Sequence, residues 1–180
     1  MIFFCILLVS LLAALIGQEF IGPLAWLHGT RVLLLPVVFF YGALAMPFGG
    51  MLLLAFAAGF MWDALTVQTI DSSVEISLGW SIVIYAALGA IMSGFRPLFQ
   101  RGRWEIHCLV SGICTSLIVL AEYLMITFRR GGFVFPQEIW WRIGGAGVVA
   151  FVLSPFVFFA LSTIGSWTGY RHWREPEASE

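Results

Sequence analysis

The chain has 180 residues, of which 61% are hydrophobic and only 11% are charged, and its mean hydropathy is +0.97. So few charged side chains cannot cover a water-soluble domain, and the sequence therefore predicts an integral membrane protein. Its nine basic residues are all arginines, set against ten acids, and they occur in short patches, which argues against nucleic acid as a partner.

Six apolar segments are candidates for membrane-crossing helices, each of which needs about 20 residues. The apolar run 32–67 is too long for one crossing, and the turn-forming "MPFGG" of Met46–Gly50 predicts a reversal inside it. The sequence predicts an all-α integral membrane protein with six transmembrane helices in a compact bundle. The predicted spans are about residues 2–16, 32–46, 49–67, 79–95, 108–128 and 139–164 in a single membrane domain 1–166, followed by a polar cytoplasmic tail 167–180. For the first span, an extension past Gln18 and Glu19 toward Ile21 stays open.

The distribution of arginines sets the predicted orientation. An even number of spans places both termini on one side, and cytoplasmic termini put five arginines inside and four outside. We therefore expect both termini in the cytoplasm and the acidic connection with Asp71 and Glu75 outside.

Asp63 is a carboxylate in the otherwise apolar stretch "AFAAGFMWDAL" of residues 55–65. Gly59 and Ala55 precede it at intervals of four, so the acid shares a helix face with small residues. Such a face allows a neighbouring helix to approach closely. We expect Asp63 to point into the bundle rather than at lipid.

Glu122 is a second acid inside a predicted span, on a face with small and polar neighbours. Arg31, Arg129 and Arg130 lie at the same level of the membrane and are candidate interfacial charge partners for both acids. Two interpretations stay open: the acids stabilise the bundle through interhelical contacts, or one of them faces a groove used by a partner helix or a substrate.

The sequence contains no pattern typical of an enzyme or a metal site. The three cysteines match neither zinc-binding nor redox spacing, and His28, His107 and His172 fall in separate regions flanking the spans. No Ser, His and Asp arrangement and no phosphate-binding glycine loop is present. We predict a protein that is not an enzyme, with no catalytic, cofactor-binding or metal-binding residues.

Several short motifs resemble MreD, the bacterial family of rod shape-determining membrane proteins. They are "RVLLLP" from Arg31, "FAAGFMWDAL" with Phe56, Gly59 and Asp63, "SLG" ending at Gly79, and "AEYLMI" with Glu122. The resemblance covers about residues 31–159. Compared with the family, about ten residues, 68–77, look inserted between the Asp and the Leu-Gly pair, and the basic tail is thinner.

The resemblance implies a fold similar to the substrate-binding subunits of energy-coupling-factor transporters, in the bacterial inner membrane. It implies a non-enzymatic scaffold that binds MreC and works with MreB, RodA and a class B penicillin-binding protein in lateral peptidoglycan synthesis. The expected partner-binding or bundle-stabilising residues are Ala55, Phe56, Gly59, Asp63 and Glu122.

A substrate-binding subunit of a small-molecule, vitamin-type transporter is the alternative function, because it would share this architecture. It requires an outward cavity, to which the 71–77 loop and Glu122 could contribute, and fold analogy alone does not establish it. A bound vitamin-sized ligand would favour transport, whereas recovery of a partner with a single membrane helix would favour the scaffold.

Overall fold

In a computed structural model of the chain, the residues described are 2–27, 29–66, 69–70, 73–74, 79–100, 104–129 and 136–167. They form seven α-helices, one 3-10 turn at Ala25–Leu27 and one antiparallel pair of two-residue strands, β1 (Thr69–Ile70) and β2 (Ser73–Val74). The helices are α1 (Ile2–Phe20), α2 (Leu34–Ala45), α3 (Phe48–Thr66), α4 (Trp80–Gly94), α5 (Arg96–Gln100), α6 (Trp104–Arg129) and α7 (Gln137–Trp167).

The helices have the length and composition of a membrane protein. Within the described residues, α1, α3, α6 and α7 are each long and apolar enough to cross a bilayer, while α2 and α4 are shorter apolar helices. Large apolar side chains face outward on the bundle, as on Leu53 of α3 and Phe156 of α7. A surface of this kind is solvated by lipid rather than by water.

Helix α2 forms the centre of the bundle. It packs against α1, α3, α4, α5, α6 and α7, and every residue from Leu35 to Ala45 is buried. A helix that is apolar on all sides is stable only when other apolar surfaces surround it, which is the position α2 takes here. The reversal predicted at "MPFGG" lies between the end of α2 at Ala45 and the start of α3 at Phe48.

The first helix extends beyond residue 16, as the sequence left open, since α1 continues to Phe20. Gln18 in its last turn is buried, and its side-chain oxygen accepts hydrogen bonds from the backbone N–H groups of Leu34 (3.1 Å) and Leu35 (3.3 Å). The first N–H groups of a helix lack partners within that helix. Gln18 therefore caps α2 from a different helix.

The segment predicted as a connection between the fourth and fifth spans is partly helical. It contains α5, and α6 begins at Trp104, four residues before the predicted span. His107, expected in a flanking region, instead lies fully buried in α6, with ring contacts to Tyr41 and Phe158.

The last helix is longer than the predicted span 139–164, since α7 contains 31 residues. Pro155 lies in its interior. The hydroxyl of the preceding Ser154 donates a hydrogen bond of 2.6 Å to the carbonyl of Ala150. The predicted tail lies outside the described residues from residue 168 onward.

Candidate functional site

Small residues on one face of α3 allow α4 to pack closely against it. Ala55, Gly59 and Asp63 lie one turn apart, and all three are buried. A Cβ atom added at Gly59 would lie 2.5 Å from both the backbone nitrogen and the Cα of Ile82. Only a glycine permits this approach, so the face predicted from the sequence packs within the bundle.

Asp63 joins the end of α3 to the start of α4. Its Oδ2 accepts a hydrogen bond of 2.6 Å from the backbone N–H of Gly79, the residue that caps the α4 N-terminus. Gly79 has a φ of +105°, a conformation that glycine adopts without steric cost. The unpaired N–H groups and dipole of a helix N-terminus favour a carboxylate in this place.

The side chain of Asp63 is only 3% exposed, and its second oxygen, Oδ1, is buried without a hydrogen-bond partner. The structure thus places Asp63 inside the bundle, with one oxygen used for capping and one available.

Glu122 of α6 lies beside the Asp63 end of α3. Its carboxylate accepts a hydrogen bond from the side chain of Trp62, the neighbour of Asp63, and the two acids interact electrostatically. The Oε1 atom of Glu122 is buried and has no hydrogen-bond partner. The structure therefore brings together the two acids that the sequence singled out.

Of the three arginines predicted as charge partners, the structure describes the side chain of Arg31 alone. Arg31 lies exposed in the segment before α2, and among the side chains that the structure describes it forms no ion pair with Asp63 or Glu122. Asp63 instead accepts a hydrogen bond from the backbone N–H of Gly79, and Glu122 accepts one from the side chain of Trp62. Arg130 and the side chain of Arg129 lie outside the described residues.

Phe56 has a different environment from the other predicted site residues on α3. Its side chain is 57% exposed and stacks on Phe60 one turn later, with ring centroids 6.2 Å apart. It faces the surroundings of the bundle and makes little contribution to the packing of α3 on α4.

A groove opens on the surface between α6 and α7. It has a volume of about 240 Å³ and an almost entirely apolar lining. We call it the α6–α7 groove; its lining residues are Leu109, Gly112, Ile113, Ser116, Gly144, Gly147, Val148 and Phe151.

Glycines hold the two helices of the groove close together. A Cβ at Gly112 would lie 3.0 Å from the Gly147 carbonyl oxygen, and one at Gly147 would lie 2.9 Å from the Gly112 oxygen. The Ser116 hydroxyl adds a hydrogen bond of 3.1 Å to the Ile143 carbonyl. Gly144, in contrast, has no heavy atom within 4 Å of an added Cβ, so it leaves open space at the surface.

A second, smaller pocket lies at the Asp63 end of the bundle. It encloses about 80 Å³ between the end of α1, the segment before α2 and Trp62, and its polar lining includes Gln18, Glu19 and Arg31. This volume is far below the several hundred Å³ typical of sites for vitamin-sized ligands.

Sequence reasoning missed Tyr85, although it faces the same region as the two acids. Tyr85 of α4 is fully buried, its ring packs edge-on against Phe39 at 5.0 Å, and its hydroxyl has no hydrogen-bond partner. Tyrosine is also enriched at membrane interfaces, so the sequence alone does not indicate that Tyr85 is buried near the two acids.

Comparisons with known proteins find no relative of this chain. No protein family, no curated protein and no solved structure matches the chain.

Proposed function

We propose that the chain is a non-enzymatic membrane scaffold of the MreD type. In this proposal it lies in the bacterial inner membrane with both termini in the cytoplasm, binds MreC, and helps to organise lateral peptidoglycan synthesis with MreB, RodA and a class B penicillin-binding protein. The sequence motifs around Asp63, Gly79 and Glu122 suggest the family, and the contact between Asp63 and Gly79 gives two of these motifs a common structural purpose.

The proposal includes six membrane crossings. Helices α2 and α4, with 12 and 15 residues, count as crossings in addition to the four long helices. Each is apolar. Shorter crossings are tolerated where protein rather than lipid surrounds the helix, which is the case for α2, while α4 packs one face on α3. A bundle of six would also agree with the expected likeness to the substrate-binding subunits of energy-coupling-factor transporters.

The α6–α7 groove is the observation that supports a scaffold most directly. Helices associate in lipid through close packing at small residues, because lipid chains are as apolar as the helices themselves. The open space at Gly144, with apolar walls from Ile113 and Val148, fits the side chains of a single crossing helix. We propose that the membrane helix of MreC occupies this groove.

Filling the groove tests the proposal without disturbing the bundle. In Gly144→Leu the added side chain would occupy the groove, and nothing inside the protein lies within 4 Å of its Cβ. We expect the amount of MreC that co-purifies from native membranes to fall at least fivefold, while the thermal unfolding midpoint in detergent stays within about 2 °C of wild type.

Gly49→Leu is the matched control, because Gly49 also has open space around an added Cβ but lies at the start of α3, away from the groove. It should leave MreC recovery unchanged. Equal recovery of MreC with wild type and with Gly144→Leu would contradict the assignment of the groove.

The transporter alternative receives less support from the described residues. The pocket of about 80 Å³ near Gln18 is too small for a vitamin, and most of the 71–77 loop lies outside the described residues. Native mass spectrometry distinguishes the two functions, because a stoichiometric ligand of vitamin size would favour transport over the scaffold.

A further inference from the structure

Three buried oxygen atoms, one on each of three helices, have no hydrogen-bond partner in the structure. They are Asp63 Oδ1 on α3, Tyr85 Oη on α4 and Glu122 Oε1 on α6. Buried polar atoms in native proteins nearly always have a partner, and each one left unsatisfied costs free energy. Buried oxygens of this kind can bind a ligand where they lie close together.

The packing of the helices brings these side chains together. Asp63 is fixed against the start of α4 by Gly79, and Gly59 fixes α3 against Ile82, one turn before Tyr85. Because side chains tilt toward the N-terminus of their helix, Tyr85 leans back toward the Asp63 end of α4.

Glu122 reaches the same region from α6. Its hydrogen bond with Trp62 joins it to the residue next to Asp63. The Tyr85 hydroxyl interacts electrostatically with both carboxylates. The two acids and the phenol thus form one cluster, which we call the acid–tyrosine cluster.

The chemistry of the acid–tyrosine cluster favours a positively charged occupant. Two carboxylates are held in an apolar interior, and neither forms an ion pair with an arginine among the described side chains. Burying two acids side by side is costly unless a proton or a cation neutralises them. Carboxylate and hydroxyl oxygens are the ligands of hard cations such as Ca²⁺ and Na⁺.

No thiolate or imidazole belongs to the acid–tyrosine cluster, and its two acids alone are too few for a metal site made of His, Cys, Asp or Glu side chains. Within the part of the chain that the structure describes, no group of three His, Cys, Asp or Glu side chains could hold a metal ion. The third oxygen in the cluster comes from a tyrosine, a ligand set that suits a hard cation rather than zinc or copper.

We propose that the acid–tyrosine cluster binds one hard cation through Asp63 Oδ1, Glu122 Oε1 and Tyr85 Oη, and that this cation ties α3, α4 and α6 together. The capping of α4 continues in the bound state, because Asp63 uses its other oxygen for the Gly79 N–H. This inference is independent of the α6–α7 groove and of the identity of any partner.

The test measures thermal unfolding of the purified full chain in detergent while Ca²⁺ or Na⁺ is titrated against choline chloride at constant ionic strength. We expect a saturable rise of the midpoint with one of the two cations, and one bound ion per chain by isothermal titration calorimetry. If Ca²⁺ gives the rise the site is divalent, and if Na⁺ gives it the site is monovalent.

Two variants separate cation binding from general stability. Tyr85→Phe keeps the ring contact with Phe39 and removes only the hydroxyl, and Glu122→Gln removes one charge. Each should weaken the apparent affinity for the cation at least tenfold. Glu138→Gln, an exposed acid in the first turn of α7, is the control and should bind like wild type.

The proposal would be overturned if neither cation raised the midpoint in a saturable way. It would also be overturned if Tyr85→Phe and Glu122→Gln both responded to the cation like wild type. In either case the three oxygens would be satisfied by protons and hydrogen bonds alone. Co-purification of MreC tests the α6–α7 groove and does not depend on cation binding, so the two proposals can fail independently.

Discussion

At the scale of single residues, Asp63 shows how a carboxylate can be accommodated in an apolar helix. Its Oδ2 accepts a hydrogen bond from the backbone N–H of Gly79, so the acid at the end of α3 caps the start of α4. A cap provided by a neighbouring helix fixes the register of the two helices as well as satisfying one donor.

Replacing Asp63 tests this role. Asp63→Ala leaves the Gly79 N–H without its acceptor, and we expect a loss of about 1–3 kcal/mol in the free energy of unfolding. Asp63→Asn retains an oxygen that can accept the same hydrogen bond and should lose less than half as much. Unfolding in mixed detergent micelles, followed by tryptophan fluorescence, measures both variants. Equal stability of wild type and Asp63→Ala would contradict a capping role.

The sequence predicted that Asp63 points into the bundle, but not that it accepts a hydrogen bond from Gly79. The small residues Ala55 and Gly59 at helical spacing already indicate which face of α3 turns inward. The partner depends on the register between α3 and α4 and on the backbone conformation of Gly79, and neither can be inferred from periodicity. Tyr85 was missed for a related reason, because only the packed structure shows that its hydroxyl faces the two acids.

At the scale of helices, glycines determine how closely neighbours pack. Gly59 lies against the backbone of Ile82, whereas Gly49, in the first turn of the same helix, has nothing near an added Cβ. The two glycines thus offer a comparison within one helix, in which the type of substitution is constant and only the packing differs.

An alanine at each position should have opposite effects. In Gly59→Ala the new methyl group forces α3 and α4 apart, with an expected cost of about 1–3 kcal/mol. In Gly49→Ala no atom must move, and the better helix propensity of alanine should leave stability unchanged or raised by up to about 1 kcal/mol. Thermal unfolding in detergent provides the measurement. A Gly59→Ala protein as stable as Gly49→Ala would show that α3 and α4 are not in close contact.

Hydropathy was sufficient to locate the six longer helices but not all of their ends. Charged and turn-forming residues mark where apolar runs stop, and the boundaries of α2, α3 and α4 lie within two residues of the predicted spans. The ends of α1, α6 and α7 extend further because polar residues there have partners or lie at the surface. For α1 the sequence left two ends open, near residue 16 and near Ile21, and the hydrogen bonds that Gln18 accepts from α2 explain why the helix continues past Gln18.

At the scale of the whole molecule, burial follows the preferences of a lipid environment. Large apolar side chains occupy both the outside and the inside, and the polar groups Gln18, Asp63, Ser111 and Thr115 are buried. In lipid the surface needs no charge, whereas Gln18 and Asp63 have hydrogen-bond partners beyond their own helix and Thr115 donates to the Ser111 carbonyl within α6. Tight packing, rather than exclusion of water, therefore determines which apolar residues matter for stability.

Two phenylalanines test this distinction. Phe39 is fully buried at the centre of the bundle against Phe40 and Tyr85, so Phe39→Ala should cost about 3–5 kcal/mol. Phe56→Ala, on the outer face of α3, should change the free energy of unfolding by no more than about 0.5 kcal/mol. Equilibrium unfolding of both variants measures the difference. Similar losses for the two variants would mean that the outer face of α3 is covered in the folded protein.

The enclosed position of α2 has a consequence for biogenesis. During synthesis α1 and α2 leave the ribosome before the helices that cover the rest of the α2 surface, namely α3, α4, α5, α6 and α7. A freshly inserted α2 must therefore wait among lipids or beside the insertion machinery until α7 has been made. Any chain cut short before that helix would leave the core element uncovered and open to quality-control proteases of the membrane.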